Sequence, residues 1–298
     1  MNNYKIDIDL IASHGQTVYH APYSLHGITK FGNGTMQIGD GDHLAMGTGI
    51  ITVSDFRQKH VAAGGEGAPL AAYGDYLLFS QSQSDVVLLN IGGISNFTFL
   101  PKNKSGKMFS TDIGPGNGLM DRFIQENYPG KRYDDGAALA KQGEVCEPFL
   151  KALFQHSFLQ QPLPKSTGPE LFNAAYITEA LERISIPRPS DADIMATLNR
   201  FTGLTIERAL REALGDQPFK LYISGGGTHN PVLMDYLQRN VKNASFHSTE
   251  EKGINPDAKE AVLFAILANE AVAGDFSTIP GGVNNFPPVS MGKISFPL

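Results

Sequence analysis

The chain has 298 residues, 41% of them hydrophobic and 18% charged, with 24 Lys and Arg against 30 Asp and Glu and a formal net charge of −6. This acidic balance, without a block of basic residues, argues against nucleic acid or an anionic membrane as the main partner. The single cysteine, Cys146, excludes an internal disulfide, no Cys/His cluster has zinc spacing, and a cytoplasmic location fits best. The polar start and the charges around the most apolar segment, near residues 261–273, predict neither secretion nor a membrane span.

The length of the chain exceeds what one hydrophobic core usually organises, so we expect two lobes that enclose a cleft. The composition becomes small and polar near residues 80–84, and we place the boundary between the lobes there. The first lobe is then residues 1–83, joined by the Gly-, Pro- and Asn-rich tail at 272–298, and the second lobe is residues 84–271.

Short strands and polar turns dominate the first lobe. Strands are predicted at residues 6–12, 18–20 and 50–53. His14 and Gln16 follow the end of the first strand and point into the space that this turn faces. A histidine in such a place also fits a purely structural role.

Two later segments of the first lobe carry charged side chains. The turn that contains Asp40 and Asp42 could bind a metal, but its acids have no ligand-spaced partner, so turn and helix-capping roles are preferred. Arg57 begins a helix and offers a charged fork suited to a phosphate or carboxylate, with a surface ion pair as the alternative. Residues 64–70 predict a long flexible loop with too little side chain to be part of the core.

The second lobe opens with a buried-type strand at residues 85–90, which a Gly92–Gly93 turn connects to another strand at 97–100. A hairpin tip with two glycines, followed by Ser95 and Asn96, can lay backbone N–H groups against a phosphate. The same pattern also occurs in hairpins without a ligand.

An acid in a glycine-rich turn, Asp112, follows the strand that ends at residue 110 and precedes a helix with apolar residues at 119, 120, 123 and 124. We expect this carboxylate near a sheet edge that faces the cleft. Free N–H groups at the helix start favour a nearby anion. A turn or N-cap role for Asp112 is the alternative.

The remainder of the chain is mainly helical. Helices are predicted at residues 135–142, 147–154, 174–183 and 192–214, and a further strand at 219–224. Gly225, Gly226 and Gly227 then lead into another helix. A strand, a triple glycine and a helix in this order let a flat base or ribose approach the backbone, although Gly-Gly-Gly is also a common plain loop.

These segments together, in this order and over nearly the whole chain, resemble the anhydro-N-acetylmuramic acid kinases of bacterial cell-wall recycling. The residues that carry the resemblance are Ser13-His14-Gly15-Gln16-Thr17, Asp55-Phe56-Arg57, residues 64–70, Asn90-Ile91-Gly92-Gly93-Ile94-Ser95-Asn96, residues 111–117, Pro164-Lys165-Ser166-Thr167-Gly168 and residues 224–230. The resemblance implies an α/β fold of the sugar kinase, heat-shock ATPase and actin class (ribonuclease H-like), with two lobes around a nucleotide cleft.

The resemblance also implies a role for each motif. Asp112 matches the catalytic base. Gly92, Gly93, Ser95 and Asn96 match the second phosphate loop, and Gly225, Gly226 and Gly227 match the adenosine loop. His14, Gln16, Arg57 and Glu260 fall at substrate-binding positions of the family. ATP with Mg²⁺ and 1,6-anhydro-N-acetylmuramic acid are the implied ligands, no metal-binding side chain is assigned, and a homodimer is the implied assembly.

One departure from the family pattern bears on activity. Family members begin with a strand and a Gly-Thr-Ser-x-Asp-Gly loop, the first phosphate clamp, whereas this chain reaches Ser13 without either. We therefore expect an incomplete first lobe. Two hypotheses follow: a working kinase, or a truncated, non-catalytic sugar-binding remnant of one. A related sugar kinase with another substrate fits less well with the Asp112 loop.

Overall fold

The computed structural model of the chain describes residues 7–81, 83–102, 108–253, 258–275 and 286–298, apart from the side chains of Glu250, Lys252 and Lys259. The predicted first strand starts at Ile6, outside the described residues, and the predicted tail is described only at 272–275 and 286–298. Within the described ranges, no helix has both the length and the apolar character needed to cross a bilayer.

Strands form where short apolar runs lie between clusters of Gly, Pro, Asn and Ser. In chain order the strands are β1 (Leu10–Ser13), β2 (Gln16–Ala21), β3 (Gly34–Ile38), β4 (Ile51–Ser54), β5 (Asp85–Ile91), β6 (Ile94–Leu100), β7 (Phe109–Pro115), β8 (Phe219–Ser224), β9 (Ala244–Ser248) and β10 (Lys293–Ser295).

Helices form where apolar residues recur at helical spacing. In chain order they are α1 (Tyr23–His26), α2 (Gly41–Thr48), α3 (Phe56–Ala62), α4 (Ala71–Phe79), α5 (Gly118–Asn127), α6 (Glu147–Leu153), α7 (Ala174–Glu182), α8 (Asp191–Leu214), α9 (Pro231–Asn240) and α10 (Lys259–Ala273). Short 3-10 turns lie at Asp135–Ala137, Ala140–Gln142, Ser157–Gln160, Gly226–His229 and Thr249–Lys252. The α/β prediction is therefore confirmed.

The chain divides into two compact units. Unit 1 comprises Met1–Ser82, Leu100–Phe109 and Asp257–Leu298, and unit 2 comprises Gln83–Phe99 and Ser110–Pro256. Each unit contains both strands and helices.

Unit 1 contains a three-stranded sheet in the order β1-β4-β10 and a two-stranded antiparallel sheet of β2 and β3. Strand β1 is parallel to β4, with Ser13 opposite Ser54, and β10 runs antiparallel to β4. Helix α10 packs on β1 and α4, and α2 packs on β4 and β10. The carboxyl ends of β1 and β4 therefore coincide, which places the turns after them at one edge of the sheet.

The capping prediction for the acidic turn before α2 is confirmed. The carboxylate of Asp40 accepts a hydrogen bond from the N–H of His43 at 2.9 Å and so caps the first turn of that helix.

Unit 2 contains a five-stranded sheet in the order β7-β6-β5-β8-β9. Strands β5, β8 and β9 are parallel. Residues 86–89 of β5 are all buried, as expected for a parallel strand covered on both faces. Because Asn90 of β5 pairs with Ser224 of β8, the Gly92–Gly93 turn and the triple glycine begin at the same end of the sheet.

Helices α5 to α9 supply the rest of unit 2. Helix α8 has 24 residues, its N-terminus is capped by the Ser190 hydroxyl, and it packs on α5, α6 and α9. The shared core contains large apolar side chains such as Leu119, Phe123, Phe149 and Phe201. At about 25 cal/mol per Å² of buried apolar surface, such side chains are the main source of stability for this layer.

The helix predicted at residues 135–142 is wrong. The segment forms two 3-10 turns, because Gly136 and Ala137 have φ values of 57° and 56° and so interrupt a right-handed helix. The carboxylate of Asp134 accepts hydrogen bonds from the N–H groups of Leu139 and Ala140, at 2.8 and 3.0 Å. A side chain thus replaces the hydrogen bonds that a helix would have provided.

Candidate active site

Two of the predicted glycine segments are joined directly in unit 2. The carbonyl of Gly93 accepts hydrogen bonds from the N–H groups of Gly116 and Gly118, at 2.9 and 3.0 Å, and the carbonyl of Gly92 accepts one from Asn117 at 2.7 Å. A β-carbon on Gly118 would lie 2.6 Å from the Gly93 oxygen, and one on Gly116 would overlap the Gly92 oxygen. Only glycine fits at these two positions, so the β5–β6 turn and the β7–α5 loop form one backbone surface.

The triple glycine packs against the end of β5. Gly225 has a φ of 89°, and a β-carbon there would lie 2.6 Å from the carbonyl oxygen of Ile91. A β-carbon on Gly227 would overlap the Ile91 side chain. The side-chain nitrogen Nδ2 of Asn117 would lie 3.4 Å from a β-carbon on Gly226. The structure thus brings all three glycine segments together.

Polar side chains that the sequence interpretation did not single out hold these loops in place. The buried hydroxyl of Thr202, on α8, donates to the carbonyl of Gly116 at 3.0 Å. The Asn230 side chain caps α9 through the N–H of Leu233 at 3.1 Å, and it accepts a hydrogen bond from Asn199 at 3.3 Å. Helix α8 therefore supports the loops from beneath.

Ser95 is buried, and its hydroxyl donates to the carbonyl of Pro115 at 3.4 Å. This hydrogen bond connects β6 to the end of β7. Asn96, its neighbour, is half-buried on β6.

The predicted base, Asp112, lies within strand β7 and not in a turn after a strand, so that part of the prediction is wrong. Strand β7 is the outermost strand of the five-stranded sheet. Oδ2 of Asp112 accepts hydrogen bonds from the Ser166 hydroxyl at 3.0 Å and from the N–H of Thr167 at 2.9 Å. The N–H of Asp112 donates to the carbonyl of Lys165 at 2.9 Å. The carboxylate is thus held by a segment more than fifty residues away in sequence.

Opposing influences act on the pKa of Asp112. Burial is the largest and raises the pKa, the hydrogen bonds from Thr167 and Ser166 lower it, and the negative charge of Glu170 raises it. The net effect is a pKa above the ordinary aspartate value. A carboxylate of this kind is a stronger base than a free aspartate while two donors keep it oriented.

Unit 1 contains the predicted substrate-binding residues. Nε of Arg57 donates to Nε2 of His14 at 2.8 Å, and Nη1 of Arg57 donates to the carbonyl of Gly67 at 3.0 Å. Because Nε2 of His14 accepts, the ring proton is on Nδ1, which lies 2.9 Å from the carbonyl oxygen of Gly15. Both ring nitrogens of His14 therefore have partners within the protein.

The guanidinium of Arg57 keeps donors that these two bonds do not use, since an arginine has five N–H groups. Burial lowers the pKa of Arg57, and the negative charge of Glu260, on α10, raises it. Glu260 is exposed, and Gln16 is exposed with its amide donating to the carbonyl of Thr17 at 3.2 Å. Of the four predicted substrate residues, Arg57 and His14 are thus hydrogen-bonded to each other. Glu260 acts on Arg57 through its charge, and Gln16 bonds to the backbone of its neighbour.

The turn that presents Arg57 has an uncommon backbone. Asp55 has a φ of 56°, a conformation that Asp tolerates better than most residues. Its carboxylate pairs with the ammonium of Lys293 on β10 at 2.6 Å. This ion pair ties the start of α3 to the neighbouring strand of the sheet.

The loop at residues 64–70 was predicted to be flexible and outside the core, and this prediction is wrong. The N–H of Gly67 donates to Nδ1 of the buried His60 at 2.8 Å, and Leu70 is buried. Nε2 of His60 lies 3.1 Å from the Tyr73 hydroxyl, which donates to the carbonyl of Pro287 at 2.8 Å. His60, on α3, thus holds the loop in which the Gly67 carbonyl accepts a hydrogen bond from Arg57.

No group of three or more His, Cys, Asp or Glu side chains in the part of the chain that the structure describes could hold a metal ion. The described side chains therefore do not assemble a metal cage.

The sequence of the chain decides its family. The family model described as anhydro-N-acetylmuramic acid kinase matches residues 2–297. The chain belongs to the anhydro-N-acetylmuramic acid kinase family.

Its relatives in this kinase family include anhydro-N-acetylmuramic acid kinases of Pseudoalteromonas atlantica and Pseudoalteromonas translucida. The first is 50% identical over 294 residues, which are 98% of this chain and 73% of the relative. The second is 49% identical over 302 residues, which are 99% of this chain and 75% of the relative. The chain thus spans about three quarters of the length of these kinases.

A xylulose kinase from Lactobacillus acidophilus is similar in structure, at 12% identity and a TM-score of 0.44, over 77% of this chain and 45% of that kinase. The membership of the chain in the anhydro-N-acetylmuramic acid kinase family rests on its sequence relatives and not on this weaker likeness.

Proposed function

We propose that the chain transfers the γ-phosphoryl group of ATP to O6 of 1,6-anhydro-N-acetylmuramic acid while water opens the anhydro ring, yielding N-acetylmuramic acid 6-phosphate and ADP. The reaction would serve peptidoglycan recycling in the cytoplasm. The observation that carries the proposal is the Asp112 carboxylate, held on an edge strand by two hydrogen-bond donors in a chain of this kinase family.

In this proposal Asp112 is the general base. Its carboxylate takes a proton from water as the water oxygen bonds to C1, and the bond between C1 and O6 breaks. O6 then bonds to the γ-phosphorus as the bond from that phosphorus to the β,γ-bridging oxygen breaks, so that ADP leaves. Burial, which raises the pKa of Asp112, supports this role because it strengthens the base.

ATP would bind in unit 2, where the β5–β6 turn and the triple glycine begin at the same end of the sheet. Backbone N–H groups near Gly92 and Gly93 would face phosphate oxygens, and residues 225–227 would let the adenosine approach the backbone. Mg²⁺, when bound, neutralises charge on the phosphates. Because the described residues form no metal cage, we expect the ion to be held mainly by the nucleotide and water.

The sugar would meet the Arg57 group of unit 1. The lactyl carboxylate of the substrate is an acceptor that matches the free donors of the guanidinium. His14 would act through Arg57, since both of its ring nitrogens are occupied. Gln16 has an exposed amide that can bind a polar group of the sugar, and Glu260 adds negative charge near Arg57.

The test is to incubate the chain, Asp112→Asn and the exposed control Asp235→Asn with ATP, Mg²⁺ and the anhydro sugar, and to follow products by mass spectrometry. We expect N-acetylmuramic acid 6-phosphate from the chain and the control, and a rate lower by roughly 10²–10⁴ for Asp112→Asn. If none of the three forms product while the sugar still raises the melting temperature, the chain is a non-catalytic sugar-binding protein and the proposal is wrong.

A further inference from the structure

The segment that contacts Asp112 is anchored independently of the Asp112 side chain. The Thr111 hydroxyl donates to the carbonyl of Lys165 at 3.2 Å and lies 2.9 Å from the Lys165 N–H, which donates to it. The N–H of Asp112 also donates to the carbonyl of Lys165. Residues 165–167 are thus tied to strand β7 through backbone groups and one buried hydroxyl, so their position does not depend on the carboxylate.

From this position, two donors converge on a single oxygen of Asp112. The Ser166 hydroxyl and the Thr167 N–H both reach Oδ2, at 3.0 and 2.9 Å. Among the residues that the structure describes, none donates a hydrogen bond to Oδ1. The two oxygens of the carboxylate are therefore not equivalent.

The geometry points to Ser166 and the N–H of Thr167 as positioning groups that fix Oδ2 of Asp112 and so assign Oδ1 as the atom that receives the proton from water. This inference rests on the proposed function. In the proton transfer, one O–H bond of water breaks, a new O–H bond forms at Oδ1, and the water oxygen bonds to C1 of the sugar. Two fixed donors on Oδ2 prevent the carboxylate from exchanging its oxygens by rotation.

Neutral donors suit a base better than a cation would. Lys165 precedes Ser166 in the chain and is the cation of this segment. Its ammonium donates instead to the carbonyls of Phe158 and Gln161, at 3.1 and 3.2 Å, and lies over the Phe158 ring. The charged group that acts on Asp112 is Glu170, which is exposed and of like sign. The hydroxyl and the N–H therefore orient Asp112 and favour its ionised form without the strong loss of basicity that an ion pair causes.

The variant that tests this inference is Ser166→Ala, with Ser166→Thr as the conservative variant and Thr178→Ala, on the exposed face of α7, as the control. Loss of one donor to the ionised form should move the acidic limb of the pH dependence of kcat upward by about one pH unit. Ser166→Thr should restore the limb, and Thr178→Ala should leave it unchanged. An unmoved limb in Ser166→Ala, whether or not kcat falls, would overturn the inference.

A measurement without substrate separates this inference from the proposed function. The protein is labelled with aspartate carrying ¹³C at the side-chain carboxyl, and the Asp112 signal is identified by its absence in Asp112→Asn. We expect the titration midpoint of that signal to rise by about one pH unit in Ser166→Ala. An unchanged midpoint would overturn the inference even in an active kinase. A shifted midpoint in a chain without kinase activity would instead uphold the positioning role and reject the function.

Discussion

Nε of Arg57 lies 2.8 Å from Nε2 of His14, so the histidine accepts a hydrogen bond from the arginine instead of presenting a free nitrogen. The same guanidinium reaches the carbonyl of Gly67. His14 and the loop that carries Gly67 therefore hold Arg57 from two sides. The remaining donors of the fork are directed by these two contacts.

Replacing Arg57 by lysine should weaken sugar binding even though the charge is kept. An ammonium has no planar fork and cannot satisfy His14 and the Gly67 carbonyl while it also contacts a carboxylate. We expect KM for the anhydro sugar to rise by roughly ten- to a hundredfold, as for loss of a hydrogen bond to a charged group. Steady-state kinetics checks this, with Arg183→Lys, at the exposed residue that follows α7, as the control. An unchanged KM would mean that Arg57 holds the loop but does not bind the sugar.

His60 should make the stability of the chain depend on pH. The pKa of His60 is lowered from 6.5 to about 4. Burial is the larger cause and the positive charge of Arg57 is the smaller one. As pH falls from 6.5 to 4, the unfolded chain binds the proton first, so the free energy of unfolding decreases through this window and is unaffected above it. Between pH 7.5 and pH 5 the loss is about 2 kcal/mol.

Urea unfolding followed by circular dichroism at pH 7.5 and pH 5 measures this loss. His60→Gln removes the titrating group, so its free energy of unfolding should fall by about 2 kcal/mol less than that of the natural chain over this interval. His43→Gln, at an exposed position, should keep the full loss. Equal losses in all three chains would mean that His60 does not couple protonation to folding.

Sequence patterns predicted the strands and long helices because burial imposes periodicity on them. The run from Asp85 to Asn90 and the helix that ends at Leu214 agree with the structure within one residue. The helix predicted at 135–142 was wrong because the Asp134 carboxylate and two residues of positive φ outweigh local propensity. Composition alone also missed the anchoring of residues 64–70, since their partner is a histidine on α3.

The contacts within the site were harder to predict from sequence than the strands and helices, because they too join residues that are far apart in the chain. Glycine positions could be predicted because close backbone approach requires them. The partners of Asp112 could not be predicted from spacing, since Ser166 and Thr167 are 54 and 55 residues away. The motif at residues 164–168 marked the segment through family resemblance, but only the folded chain shows which carboxylate oxygen it contacts.

Two glycines of the proposed nucleotide site should respond differently to alanine. Gly225→Ala forces a β-carbon into a left-handed backbone and against the Ile91 carbonyl, so it should lower the free energy of unfolding by roughly 2–4 kcal/mol. A β-carbon on Gly93 meets no described atom within 4 Å, so Gly93→Ala should change stability by less than about 0.5 kcal/mol.

Both alanine variants should nevertheless bind ATP more weakly, on the order of tenfold for Gly93→Ala. Urea unfolding and calorimetric titration with ATP measure the two effects separately. If Gly93→Ala binds ATP as the natural chain does, the turn between β5 and β6 does not contact phosphate.

Thr202→Val should destabilise unit 2 through a single buried oxygen. The Thr202 hydroxyl donates to the carbonyl of Gly116, and valine has the same shape without the donor. The Gly116 carbonyl would then be left without this partner beneath the β7–α5 loop, at a cost of about 1–3 kcal/mol.

Urea unfolding of Thr202→Val measures this cost, and Thr178→Val, at an exposed position of α7, controls for the exchange of a hydroxyl for a methyl group in a helix. We expect the control to lose less than about 0.5 kcal/mol. Because the N–H of Asn117 in this loop donates to the carbonyl of Gly92 in the proposed phosphate turn, Thr202→Val should in addition weaken ATP binding, whereas Thr178→Val should not. Equal stabilities of the two variants would show that the hydroxyl of Thr202 contributes nothing to holding the loop, and α8 would then support the site through apolar packing alone.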